Sequence, residues 1–529
     1  MTKSEWLAQK LAFPLTAIII LSLVLVACGD ASPAPGVATT AIANPTIVVT
    51  TAPVATSSPV SVNTTASAAS TTVPAVVTSP ASVSTTAPAL TATTAAATRV
   101  PTSPTTAAIT TAVSATVSPR PSLSPIPVPT VVASAQVQQT LDVIGQQAVK
   151  TRRLEFKSKV EKNFMTREAL GKYQLESFNR DNPPEEVAKY QKINEVFGFL
   201  PKGFDLAKAY TDLQTEQVLG FYDPRTKKLY LIIDQDPNKV SPLVKYTAEH
   251  ELTHALQDQN YDIQKLRPIR EPNATEGNDD QDYALTALLE GDAVNSQTVW
   301  IQAGNLSRQE LSQMITEVQS FNQDKLNNAP LILKDTLSFP YAEGSSFVQN
   351  IYKKGGWDAV NKMFSDYTPR STAQILHPEK YEKRIDPVKV ELPSLVDTLG
   401  QGWKSLDINT MGELQSRIWL NGVLSTEEAK KAVSGWSGDR YQVLSDAQDN
   451  YGYAWRSQWD SEGDASNFFK ASLSSVTRLY GLSGDGGTGL KRNWTSTDKD
   501  VSLVQKGNQV LVVVLPKGNA SKVTARLGF

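Results

Sequence analysis

The chain has 529 residues, 40% of them hydrophobic, and its 51 basic and 53 acidic side chains leave a formal charge of −2. That balance excludes a strongly basic chain and nothing in it points to nucleic acid, so no nucleic-acid partner is expected. A single cysteine, Cys28, excludes an intrachain disulfide and any cysteine-built zinc site.

At the N-terminus, Lys3 and Lys10 precede an apolar run from Leu11 to Ala27 that ends in Leu25-Val26-Ala27-Cys28. A charged start, a short apolar stretch and small residues at its end describe a secretory signal. The last four residues resemble the bacterial lipobox. That resemblance implies a signal peptide over 1–27, lipidation of Cys28, and a chain held at the extracytoplasmic face of the cell membrane. An uncleaved anchor is the alternative, since about 18 apolar residues can span a bilayer; Pro14 in the run and the cysteine at its end favour the lipoprotein. From Ala31 to about Val132 the chain is Thr, Ala, Ser, Pro and Val without an aromatic, and Arg99 and Arg120 are its only charges. Such a composition cannot bury enough surface to offset ordering entropy, so 28–132 is predicted to be a disordered tether, with O-glycosylation possible on its hydroxyls.

Charges return from Asp142 and aromatics from Phe156, and a folded region is expected over 133–400, beginning near Gln136. Gln136 to Lys150 and Thr166 to Phe178 read as helices, and Pro183-Pro184-Glu185-Glu186 opens another through about Phe197. Two β-branched and aromatic runs between Glu216 and Asp234 flank Asp223-Pro224-Arg225-Thr226, which predicts a hairpin. Ser241-Pro242 then caps a helix carrying Ala248-Glu-His-Glu-Leu-Thr-His-Ala-Leu-Gln-Asp-Gln259. His250 and His254, four apart, share one face of it, and Glu251 lies about 100° round from His250.

Catalytic zinc takes three protein ligands and leaves a position for water. With two histidines in the motif, the third ligand is either His377, the one remaining histidine, or a carboxylate. Asp279, Asp280 and Asp282 lie in a polar stretch that reads as solvated. Tyr283 to Asn295 reads as a helix rich in Ala and Leu in which Glu290 is embedded, a costly place for a carboxylate that is neither paired nor metal-bound.

His250-Glu251-x-x-His254 followed by Glu290 on the next long helix resembles the gluzincin pattern of zinc metallopeptidases. Glu290-Gly291-Asp292-Ala293 is similar to the glutamate segment of the aminopeptidase branch. The run as a whole also resembles a poorly characterised group of bacterial metallopeptidases, from about Ala148 towards the C-terminus, by way of the segments Glu216–Pro224, Gly355-Gly356-Trp357 and Ser371–Tyr381. The resemblance implies an α+β fold, with a mainly helical zincin-like catalytic domain and a small sheet or hairpin before the motif helix. It implies Zn2+ held by His250, His254 and Glu290, with Glu251 as general base. The oxyanion then needs a further donor, and His377 or Tyr341 is the candidate, His377 ahead. A loop hydrogen bond is the other reading of His377, and core packing that of Tyr341. Two features depart from the pattern: the interval of 290 − 254 = 36 positions is long, and Val294 stands where an orienting aspartate is expected. Asp292 points to another side of the helix, and Asp258 is an alternative partner.

Beyond 400 the organisation changes. Gly412–Leu420 and Thr426–Val433 read as helices, Arg440–Leu444 and Tyr451–Trp459 as strands, Asp464–Tyr480 as a helix and Val501–Leu515 as a hairpin. The ββαββ-like order predicts a small C-terminal α+β module over 401–529, with Trp436, Trp455 and Trp459 in its core. The function expected is a monomeric, lipid-anchored extracytoplasmic zinc metallopeptidase acting on peptide or protein. The alternative is a catalytically silent zinc- or peptide-binding surface lipoprotein, against which the intact Glu251 argues.

Overall fold

The computed structural model describes residues 15–16, 131–233, 236, 238–267 and 277–529. Cys28 and the tether up to residue 130 lie outside these residues. Regions 133–400 and 401–529 belong to one compact unit, and both mix helices with a sheet, so the α+β class holds. No helix among the described residues is long and apolar enough to cross a membrane.

The first sheet is built around a hairpin. Strand β2 (Gly220–Asp223) pairs antiparallel with β3 (Lys228–Ile232), Phe221 opposite Tyr230. Asp223 makes the turn: its side chain accepts from the Arg225 N–H, and its carbonyl accepts from Lys227, which takes a positive φ of 58°. Strand β1 (Glu161–Met165) adds in parallel to β3. The outer side of β2 carries the dipeptide Leu15–Thr16, paired antiparallel with Tyr222 and Phe221; it falls within the segment read as a signal peptide.

Helices cover this sheet. Helix α1 (Ala135–Arg152) is capped by Ser134, α2 (Arg167–Asp181) by Thr166, and α3 (Pro184–Phe197) ends at Gly198 with a φ of +78°. Helix α4 (Leu206–Gln217) takes up residues that sequence alone assigns partly to the hairpin. The motif helix α5 (Pro242–Tyr261) starts at Ser241, whose hydroxyl accepts from Val244 N–H, with Pro242 in the first turn. It packs against β2, β3, α1, α6 (Asp279–Gln302) and α7 (Arg308–Gln319), and is buried on nearly every side from Tyr246 to Asp258.

Helix α6 is longer than its Ala- and Leu-rich centre suggests. Asp280, read as solvated, is buried: its Oδ1 accepts from the Thr372 N–H and hydroxyl at the start of the short helix α9 (Thr372–Leu376). Helix α8 (Leu331–Ser365) runs through Pro340 and breaks only at Gly355-Gly356, where φ reaches −146° and then +60°. It lies along α6, and the two share a core with Leu288, Phe339, Phe347 and Trp357.

The C-terminal module is a six-stranded antiparallel sheet in the order β4-β5-β6-β9-β8-β7. Its strands are β4 (Lys404–Asn409), β5 (Trp436–Ser445), β6 (Tyr451–Trp459), β7 (Lys491–Thr495), β8 (Lys499–Lys506) and β9 (Gln509–Pro516). Helices α10 (Gly412–Asn421), α11 (Thr426–Val433) and α12 (Glu462–Leu479) cover one face, where Trp436, Trp455 and Trp459 are core residues. Helix α13 (Ala520–Arg526) closes the other. The outer strands β4 and β7 extend the ββαββ order read from sequence.

Candidate metal centre

Two buried helices supply the centre. His250 and His254 project from one face of α5, with ring centroids 4.7 Å apart, towards Glu290 on α6. Glu290 Oε2 lies 3.1 Å from His250 Nε2 and 3.3 Å from His254 Nε2. The three ligand atoms fall within 4.8 Å of one another, and all three residues are buried.

Glycine fixes the meeting of the helices that carry Glu290. A Cβ on Gly291 would stand 2.3 Å from the Gly344 carbonyl oxygen of α8, and one on Gly344 would stand 2.4 Å from the Ala287 oxygen of α6. Only two glycines let these backbones touch, and the contact sets Glu290, one residue away, at its depth.

Electrostatics favour a cation at this point. Gln297 Nε2 donates to the Tyr246 carbonyl, so its Oε1 must accept the proton on His250 Nδ1, 3.1 Å away. Gln257 Nε2 likewise donates to the Leu289 carbonyl and to Asp292, and its Oε1 accepts from His254 Nδ1 at 2.9 Å. Both Nε2 lone pairs therefore face the Glu290 carboxylate, and His254 Nε2 has no hydrogen-bond partner. Two acceptor nitrogens against a carboxylate oxygen at a buried site favour a positive charge between them. Burial opposes charge on His254, but Glu290 and then Glu251 outweigh it and raise its pKa to about 9; at His250 burial prevails and lowers it. Burial also pushes Glu290 up, and the two histidines overcome it to hold the carboxyl near 2. Two imidazole nitrogens and a carboxylate, one of them an orphaned buried atom, fit a divalent metal of the zinc type.

Glu251 is not one of the three grouped ligands. Its Oε2 accepts the Tyr222 N–H of β2 at 2.7 Å, which ties the carboxylate to the hairpin. The neighbouring Glu249 is no ligand: burial pushes its carboxyl up to about 8, and it accepts from Ser296 and Thr253. Asp292 reaches His254 through Gln257, and Arg152, buried and stacked 4.5 Å over Trp357, lies within 3.0 Å of its carboxylate. Asp258 serves elsewhere, accepting from the Tyr222 hydroxyl and Lys227. Val294 packs in a small apolar cluster with Tyr341.

The two oxyanion candidates separate in space. The Tyr341 ring lies 6.3 Å from the His250 ring, so Tyr341 stands at the centre. His377 is held instead at the C-terminal module, its Nε2 2.8 Å from the buried carboxylate of Glu413. Thr372, five residues earlier, is pinned to Asp280, which is ten residues or about 15 Å along α6 from Glu290. Sequence reasoning missed Gln257, Gln297, Arg152 and the Tyr222 amide. A cavity of about 750 Å³ opens at the N-terminal end of α5, lined by Leu219, Ser241, Lys245 and Thr247, and none of the ligands or Glu251 borders it.

A domain of unknown function, DUF8575, matches residues 401–524, the six-stranded module. No curated protein matches the chain. Among solved structures the chain is similar to a "putative hydrolase with a novel fold" from Chloroflexus aurantiacus, at 16% identity and a TM-score of 0.32, over 50% of this chain and 94% of that one. His250, His254 and Glu290 lie outside the family match, so the chemistry of the centre rests on its own geometry.

Proposed function

We propose that the protein is a zinc-dependent peptidase in which His250, His254 and Glu290 hold the metal and Glu251 is the general base. The observation that carries the reading is the convergence of two histidine Nε2 atoms and one carboxylate, with a second carboxylate fixed one residue from the first ligand. The chemistry that zinc supplies when bound is Lewis acidity, which polarises a carbonyl and acidifies water. Glu251, restrained by the Tyr222 amide through Oε2, takes a proton from the attacking water and returns it to the leaving amine. Tyr341, beside His250, is the nearer of the two candidate donors to the oxyanion, and its phenol serves in that role. A catalytically silent metal-binding protein has no need of a carboxylate restrained in this way.

The substrate proposed is a peptide or protein. The setting proposed, on the lipobox-like run ending at Cys28, is a monomer anchored by lipid on the outer side of the cell membrane. The test compares the protein with its Glu251→Gln and Glu290→Ala variants, reading zinc content and hydrolysis of a mixed pool of unstructured peptides. Wild type and Glu251→Gln are expected to hold one zinc each, with hydrolysis reduced about 10²–10⁴-fold in the variant. Equal hydrolysis by both would falsify the role of Glu251, and tight zinc in Glu290→Ala would remove Glu290 from the ligand set.

A further inference from the structure

We infer that Gln257 and Gln297 are positioning residues for the metal centre, fixing the tautomer and the aim of both histidine ligands with neutral amides; this rests on the metal-centre reading above. Gln257 stands three residues after His254 on the same helix. Gln297 stands two turns after Glu290 on the same face of α6, so one helix carries both a ligand and the orienter of another. Both side chains are fully buried.

An amide presents two different ends, so its service depends on which end faces the imidazole. Here the other partners decide. The Gln257 NH2 is engaged by the Leu289 carbonyl at 2.9 Å and an Asp292 oxygen at 2.8 Å, and the Gln297 NH2 by the Tyr246 carbonyl at 2.9 Å. All of these accept and none donates. Each Oε1 is left to the Nδ1–H of its histidine, and each Nε2 is presented as a lone pair.

The acids that ordinarily take this position are occupied or absent. Asp258 accepts from Tyr222 and Lys227, Glu249 from Ser296 and Thr253, and Asp292 bridges Arg152 to Gln257. Val294 has no polar atom. A carboxylate on each imidazole would add negative charge to a buried site that already holds Glu290 and Glu251, at a steep desolvation cost. Amides orient the rings without it, and as weaker acceptors they leave the imidazoles less electron-rich towards the metal.

Gln257→Met and Gln297→Met keep the volume and remove the acceptor. Zinc affinity, measured by competition with a chromogenic chelator, is expected to fall about 10–100-fold in each. Because the chain contains three histidines, ¹⁵N-histidine labelling of the zinc-loaded protein resolves each ring. Gln297→Met should lose the slowly exchanging Nδ1–H signal of His250 and keep that of His254, and Gln257→Met the reverse. Thermal unfolding of the metal-free proteins separates packing from orientation. A lowered melting temperature with unchanged zinc affinity and intact Nδ1–H signals marks a purely structural role and overturns the inference. Wild-type protein that takes up no zinc refutes the metal centre itself, and the inference with it.

Discussion

Replacing Gly291 by alanine sets two effects of opposite sign against each other. Gly291 lies inside α6, where alanine is favoured over glycine by about 1 kcal/mol. The new Cβ, however, would lie 2.3 Å from the Gly344 oxygen, 2.4 Å from its carbonyl carbon and 2.9 Å from Ser345 N. These are backbone atoms, so no side chain can swing aside. A carbon–oxygen contact needs about 3.3 Å, and the helices must therefore part by about 1 Å. Overpacking of this kind costs about 1–3 kcal/mol against the about 1 kcal/mol that propensity returns, so net destabilisation of up to about 2 kcal/mol is expected. Glu290 moves with the backbone, and a ligand displaced by about 1 Å should weaken zinc binding at least about tenfold. Urea unfolding of the metal-free protein and chelator competition measure the two quantities. A variant stabilised by about 1 kcal/mol with unchanged zinc affinity would refute the claim that the glycine crossing places Glu290.

Two further perturbations separate neighbouring roles. Burial raises the Asp280 carboxyl to about 7, against the lowering effect of Thr372. A folded value above the unfolded 3.8 stabilises fully below about pH 4, and that contribution, up to about 4 kcal/mol, is lost as pH rises through 7. Asp280→Asn, whose oxygen still accepts from Thr372, should flatten the fall in urea stability between pH 5 and pH 8; an unchanged slope rules the assignment out. At the oxyanion position, Tyr341→Phe should lower kcat about 10²–10³-fold with little change in KM. His377→Asn should leave kcat within about threefold and cost about 1–3 kcal/mol of stability, because Glu413 stays buried without its donor. The opposite pattern of rates would return the role to His377.

What sequence shows of this centre is what helical periodicity and burial cost can express. The spacing of His250 and His254 aligns them on one face without any tertiary information, and Glu290 stands out as a charge amid Ala and Leu. The orienting residues are hidden because a glutamine fits any helical surface; only the fully buried faces of both helices single out Gln257 and Gln297. Rotation along α6 turns Asp292 away from Glu290, and it serves His254 because Gln257 bridges the gap. Asp280 reads as solvated from Asp-Asp-Gln-Asp, since the Thr372 donors that bury it come from 92 residues away. Helix α8 is obscured by Pro340, a breaker that packing overrides. Strands β4 and β7 read Lys-Ser-Leu-Asp-Ile-Asn and Lys-Arg-Asn-Trp-Thr, and as outer strands they need little of the alternation that marks a core strand.

The 36 positions between His254 and Glu290 become intelligible from the same contacts. A ligand so far from its partners in sequence depends on an external hold for its helix, and the start of α6 has one. The Gly277 N–H donates to the Ile408 carbonyl, Arg440 donates to the Gly277 carbonyl, and Asn409 accepts from the Asp279 N–H. A Cβ on Gly277 would stand 2.6 Å from the Asn409 side chain, and one on Gly412 would stand 1.9 Å from Asp280. Strands β4 and β5 and the first turn of α10 thus grip the N-terminal end of the glutamate helix, while the Gly291–Gly344 crossing fixes its middle. Two fixed points define a rod, and Glu290 sits beside the second of them. The C-terminal module contributes no ligand, yet the depth and direction of the third ligand depend on how it docks.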